Sequence, residues 1–151
     1  MSAPRAEVSR IMGAAPATVY RILSDYRHEH PLILPKPFFK SCEVQAGGFG
    51  AGTVIRVVTE AMGVEQQLLM TVSEPEPGRV LVEEDPAAGV RTSFTVTPLD
   101  QGRQCQVTIA TEWSPKPGLA GLGERLLNPL VARSVFRKQL ALLAQRAAAV
   151  R

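Results

Sequence analysis

VRTSFTVTPLDQGRQCQVTIATEW, residues 90–113, reads as two strands and the turn that joins them. Neighbouring residues in a strand point to opposite faces. Phe94 and Val96 therefore share a face on the first arm, and Val107, Ile109, Thr111 and Trp113 share one on the second. The turn is only Asp100-Gln101-Gly102. A parallel crossover needs a dozen or more residues, so these strands must run antiparallel.

The same pattern extends backwards along the chain. KSCEVQ (40–45) is strand-like, the glycines of 47–52 turn the chain, and TVIRVVTE (53–60) is rich in β-branched residues. Ala61-Met62-Gly63 turns into a strand over Glu65–Ser73, and Glu74-Pro75-Glu76-Pro77-Gly78 turns into RVLVEED (79–85). Pro86 to Gly89 then leads into residue 90. Six strands separated by short turns predict an antiparallel meander. Alternation turns Thr53, Ile55, Val57 and Thr59 inward, followed by Leu68, Met70 and Val72. RVLVEED is ambiguous, and Val80 and Val82 are taken as its inward residues.

Outside the meander, Arg5 to Gly13 predicts one more strand. Pro16 then opens a short helix, because a proline in the first turn lacks only an N–H that would be unpaired anyway. Val19, Ile22, Leu23 and Tyr26 follow at helical spacing, and Pro31, Pro35 and Pro37 end regular helix beyond His30. Pro115, Pro117 and Gly118 stop the strands. Beyond them Leu122, Leu126, Leu130, Phe136, Leu140, Leu143 and Ala147 predict a long amphipathic helix that Pro129 kinks or splits. The fold class is α+β, a curved antiparallel sheet of about seven strands (β-α-α-β6-α) wrapped around a C-terminal helix, in one domain spanning residues 1–151.

This order resembles the helix-grip fold of the START-like or SRPBCC superfamily, specifically its polyketide cyclase/dehydrase and lipid-transport group. The resemblance rests on APATVYRILSDYRHEHPLILP (15–35), GGFGAGTVIRV, VSEPEPGRVLVEED, TSFTVTPL and VTIATEW. It covers essentially the whole chain, but these motifs mark a fold and not a chemistry. It implies an apolar cavity between sheet and long helix, entered near the short helices and sheet loops. It also implies ligands such as lipids, sterols, polyketides or plant hormones, with catalysis in only some members and no universal catalytic residue.

Alternation and the resemblance together nominate a lining. The front segment supplies Tyr26, Leu34, Phe38 and Phe39. The sheet supplies Ile55, Val57, Thr59, Leu68, Met70, Val82, Thr92, Phe94, Val96, Ile109, Thr111 and Trp113, and the helix supplies Leu130, Arg133 and Phe136. Packing the same side chains into a solid core is the competing reading. Arg133 falls ~20° around the helix from Leu122, inside the apolar stripe. It would there need a carboxylate from Glu84, Glu112 or a ligand, unless the Pro129 kink turns it to solvent.

His28, His30 and Tyr26 are the catalytic candidates. Histidine titrates near neutrality, and either ring paired with Asp25 would form an acid-base couple. As a metal site His28-Glu29-His30 has no third ligand at a recognisable spacing, and Cys42 and Cys105 form no CxxC, so neither a metal nor a cofactor is expected. Both cysteines read as reduced, buried, small apolar residues. The glycines of 47–52 precede a strand and not a helix, which points to a bulged hairpin and not a phosphate loop.

The 17 basic and 14 acidic residues leave a formal charge of +3, unevenly spread. The acids concentrate between Glu60 and Asp100 and the bases beyond Lys116, which reads as opposite solvated faces of one domain. No aromatic interleaving accompanies the bases, so no nucleic-acid partner is expected. The N-terminal stretch lacks the apolar core of a signal peptide and no window approaches the ~20 apolar residues that span a bilayer, so the expected location is the cytoplasm. The leading functional reading is a carrier or sensor of a small hydrophobic molecule, as a monomer or homodimer. An enzyme of the cyclase or dehydratase type is the alternative, and an interaction module using the basic C-terminal helix is a further one.

Overall fold

The computed structural model describes residues 5–61, 63–114 and 129–150. Seven strands form one antiparallel sheet: β1 (Arg5–Met12), β2 (Phe39–Ala46), β3 (Val54–Ala61), β4 (Val64–Glu76), β5 (Val80–Asp85), β6 (Val90–Leu99) and β7 (Gln104–Trp113). Their spatial order is β1-β7-β6-β5-β4-β3-β2. The meander runs unbroken from β2 to β7, and β1 joins at the far edge by pairing with β7, Val8 opposite Ile109. Helix α1 (Pro16–Ser24) and a 3-10 turn (His30–Ile33) bridge the two edges, and helix α2 (Pro129–Ala149) lies against the sheet.

The two strands of the β6–β7 hairpin lie second and third from the β1 edge of the sheet. Phe94 pairs with Ile109 and Val96 with Val107, all four essentially inaccessible to solvent. Asp100 and Gln101 both take positive φ in the turn between these strands. Each fully buried side chain of this size is worth about 1.5–3 kcal/mol relative to leaving it in water. On α2 the buried residues are Ala132, Val135, Phe136, Gln139, Leu140, Leu143 and Ala147, a stripe at helical spacing.

Three expectations change. Strand β4 continues through Glu74-Pro75-Glu76, where a turn was expected. Its pairing with β5 shifts between Ser73 and Glu76, and a proline is tolerated at such a bulge because no ladder hydrogen bond is required of it there. The described part of α2 starts at Pro129, so the kink or split expected at that proline lies at the border of the described residues. The leucines expected at 122 and 126 lie outside those residues. Leu130 is 73% exposed, because six residues of helix place it about 120° from Phe136. Finally, Leu81 and Glu83, not Val80 and Val82, face inward on β5. Leu81 sits opposite Phe94 and Glu83 opposite Thr92, whereas Val82 pairs with Ser73 and Ser93 on the other face.

The glycine-rich hairpin fastens α1 to the sheet. Tyr26 N–H donates to Gly48 O at 3.0 Å, Gly50 N–H to Ser24 O at 2.9 Å, and the Arg27 guanidinium to Gly47 O at 2.6 Å. At Gly48 φ is +145°, a backbone conformation that favours glycine, and a β-carbon there would stand 2.3 Å from Arg27 Nε and displace that side chain.

Candidate functional site

A small cavity lies between the concave face of the sheet and the first turns of α2. Its walls are Phe38, Phe39, Thr59, Leu68, Met70, Val90, Thr92, Thr111, Ala132, Val135 and Phe136, and its volume is about 50 Å³. Pockets for drug-sized ligands span roughly 300–1,000 Å³, so side chains nearly fill this one. The rings of Phe38 and Phe39 meet edge to face at 5.0 Å and account for part of that filling. The polar atoms of the wall are threonine hydroxyls. Thr92 Oγ1 and Thr111 Oγ1 are 2.9 Å apart, and Thr111 also donates to Arg91 O at 3.3 Å. Phe39 lines a second, outer groove of about 170 Å³ with Pro31, Leu34, Lys36, Lys40, Ser41 and Cys42. Phe39 therefore borders both the outer groove and the inner cavity.

One step from the cavity wall stands a buried polar cluster. Tyr26 and His30 are each 1% exposed and Glu83 7%. The chain reaches this arrangement because α1 ends at Ser24 and the 3-10 turn begins at His30, so both rings drop beneath the connecting loop. They stack with centroids 4.4 Å apart, and His30 meets Phe94 edge to face at 5.7 Å. Tyr26 Oη donates to Glu83 Oε2 at 2.6 Å, and His30 Nε2 lies 3.4 Å from the same oxygen. On the other side of the imidazole, Nδ1 is 2.7 Å from Leu23 O. A carbonyl only accepts, so Nδ1 carries a proton.

The cluster alters its neighbours. Burial first, and then the adjacent Glu83 carboxylate, hold the Tyr26 phenol well above its ordinary range. Burial also pushes the Cys42 thiol up to about 12, with Glu83 and Glu43 adding to it. Both cysteines are free, Cys105 fully buried and Cys42 half-buried. Above the cluster, Arg146 of α2 grips Glu29 with two hydrogen bonds of 2.5 and 2.7 Å. That pair fixes the C-terminal part of α2 to the segment carrying the two rings.

Of the residues nominated from sequence, Phe38, Phe39, Thr59, Leu68, Met70, Thr92, Thr111 and Phe136 line the inner cavity, and Leu34 lines the outer groove. Ile55, Val57, Phe94, Val96, Ile109 and Trp113 are buried in the packed core and do not line the cavity. Val82 and Leu130 face away from it. Arg133 is half-buried on the flank of the α2 stripe, about 100° around the helix from Ala132, and has no side-chain partner among the described residues. Neither carboxylate proposed for it is engaged there, since Glu84 is exposed and Glu112 bonds Arg5. His28 is 78% exposed, 3.4 Å from Asp25, whose carboxylate also caps the Arg27 and His28 backbone N–H groups. The expected pairing of His30 with Asp25 is replaced by one with Glu83. Val90, Ala132, Val135 and Glu83 were not among the nominated residues. Among the described residues no three metal-binding side chains converge, and no helix is long and apolar enough to cross a membrane.

The sequence profile described as polyketide cyclase/dehydrase and lipid transport matches residues 3–148. The chain belongs to that family. Its helix-grip fold recurs in solved structures. The KanY protein (ms6282) is 26% identical with a TM-score of 0.83, covering 98% of this chain and 99% of that one. A START superfamily protein from Mycobacterium smegmatis is 15% identical with a TM-score of 0.69, over 97% and 99% of the two chains. The Zhui aromatase/cyclase from Streptomyces sp. R1128 is 17% identical with a TM-score of 0.66, over 96% and 93%. The last two likenesses concern the fold alone. No curated protein sequence gives a significant match.

Proposed function

We propose that this family member binds a small, largely apolar molecule in the space between the sheet and α2. The observation that carries the reading is the composition of the cavity wall, where aliphatic and aromatic side chains surround the hydroxyls of Thr59, Thr92 and Thr111. Apolar walls with a few placed polar groups are the usual make-up of small-molecule sites. At about 50 Å³ the cavity must widen to admit a ligand. Phe39 is the side chain whose movement would join it to the outer groove, because that ring lines both. Titration with a fluorescent fatty acid, together with native mass spectrometry of protein purified from its source, tests the reading. Saturable uptake is expected, and Ala132→Val, which fills the cavity from α2, should weaken it while the protein stays folded. A wild-type protein that takes up no probe and carries no small molecule overturns the proposal.

A second reading, an acid-base enzyme of the cyclase or dehydratase type, draws on the Tyr26–Glu83–His30 cluster. A carboxylate beside an imidazole is equipment for proton transfer. Under this reading His30→Ala lowers turnover of a polyketide-like substrate without unfolding the protein, and unchanged turnover counts against it.

A further inference from the structure

We propose that Gln66 forms the polar end of the ligand site and selects an apolar molecule carrying a neutral hydrogen-bond donor, a phenol or an alcohol, held through Gln66 Oε1. The inference rests on the cavity-binding reading and adds the chemistry of the group that the ligand presents at one end of that space.

Among the described residues, Gln66 Oε1 is the one side-chain oxygen or nitrogen that is shut off from solvent and has no hydrogen-bond partner. The buried hydroxyls of Tyr26 and Ser24, by contrast, reach acceptors at 2.6 and 2.8 Å. An amide oxygen taken out of water without a donor raises the free energy of the folded state, so such an exception calls for a reason. It also makes Oε1 a place where an arriving donor gains its full value, since its desolvation is already complete. The amide nitrogen of the same side chain is not in this condition, so it is the acceptor that lacks a partner.

The register puts this oxygen at the margin of the cavity. Gln66, Leu68 and Met70 alternate onto one face of β4, and Leu68 and Met70 belong to the cavity wall. Across the sheet Gln66 stands directly opposite Thr59, and Thr59 directly opposite Phe39, both of them wall residues. Side chains so paired have β-carbons about 5 Å apart. Gln66 itself is outside the wall of the closed cavity, whose volume of about 50 Å³ has to grow before a ligand enters. Widening at Phe39 extends the space along the row Phe39–Thr59–Gln66, and a molecule lying against Thr59 is then within reach of the amide.

The wall fixes the charge of the group. No ionisable side chain is among the residues that form it. An ammonium ion or a carboxylate would lose its hydration there with no opposite charge to meet. A carboxylate, ketone or ether would also bring a second acceptor to an oxygen that needs a donor. A hydroxyl supplies that donor without introducing charge.

Equilibrium dialysis of 2-naphthol, 2-methylnaphthalene and 2-methoxynaphthalene against wild type and Gln66→Met tests the assignment. The three share a ring system and carry a donor, neither group, and an acceptor alone. The variant keeps the length of the side chain and removes the amide. Gln66→Met is expected to weaken 2-naphthol about fivefold relative to 2-methylnaphthalene, the order of one hydrogen bond between neutral groups, and to leave 2-methoxynaphthalene unchanged on the same scale. Ratios between the two proteins cancel the differing hydration of the compounds. Without ligand, Gln66→Met is expected to melt no lower than wild type, because the oxygen it removes has no partner. An unchanged 2-naphthol ratio overturns the proposal. An equal loss for 2-methoxynaphthalene shows that the amide nitrogen reads the ligand and overturns the donor class. A lower Tm, or a variant that fails to fold, shows that the amide has a partner of its own in the folded protein and overturns it as well. Retention of none of the three by wild type does the same, and the cavity reading falls with it only if the fluorescent fatty acid is refused too.

Discussion

A hydroxyl buried between two strands must find a partner, and Thr92 and Thr111 find each other. Their roles are unequal, because Thr111 has Arg91 O as a second acceptor while Thr92 has only Thr111. Thr111→Val should cost about 1–3 kcal/mol by leaving the Thr92 hydroxyl alone, and Thr92→Val about 1 kcal/mol. The double variant should cost less than the sum, since no orphan remains. Urea denaturation of the three variants measures this, and additive costs would contradict the pairing. Glu83 carries a different lesson. Phe94 read correctly as inward, and the turn of residues 86–89 pairs Asp85 with Val90. Counting back along that ladder brings Leu81 opposite Phe94 and Glu83 opposite Thr92. The register was therefore legible, but the valines of RVLVEED drew the inward assignment to the wrong phase. A one-residue slip exchanges the faces of a whole strand. The Glu83 contact with His30, by contrast, joins segments 53 positions apart through an irregular loop, and no local period encodes it.

At the scale of elements, the strands were the most legible part of the chain, because period two and short glycine turns specify both existence and direction. The helix was legible as an element but not in phase. Within the described helix Leu130 lies about 120° from Phe136 and Arg133 about 100° from Ala132, so both fall outside the buried set. What anchors α2 was not legible either, since Glu29 and Arg146 are 117 positions apart. The Arg146 hydrogen bonds hold the Glu29 carboxyl below its ordinary value. A group depressed on folding stabilises the protein above its unfolded value, and that contribution disappears as pH falls through the folded value. The difference in Tm between wild type and Arg146→Gln should thus be constant from pH 7 to about 5.5 and shrink below about pH 4. Thermal melts across that range measure it, and a difference that grows on acidification would rule out the linkage.

For the molecule as a whole, the sheet has no closed interior until α2 is in place. Leu140, Leu143 and Ala147 are at most 1% exposed, and lifting them away would open the concave face to water. Undocking of α2 should therefore cost nearly as much as unfolding. Native-state hydrogen exchange tests this, with the amides of residues 135–147 expected to exchange as slowly as those of β6 and β7. A separate, faster opening of α2 would show that the helix moves independently and would shift the ligand gate from Phe39 to the helix. The size of the cavity was the property least visible in the sequence. Which side chains face inward follows from alternation, but the space left among them depends on how Phe38, Phe39 and Phe136 pack.

The pairing of β1 with β7 also bears on how the chain is made. Arg5–Met12 is synthesised before its partner, which begins at Gln104, about 90 residues later. At about 5–20 residues per second the first strand waits roughly 5 to 20 seconds for its place in the sheet. During that interval Ala6, Val8 and Met12 have no native strand to cover them, so the nascent chain passes through a window in which the apolar surface that β7 will later hide is open to aggregation.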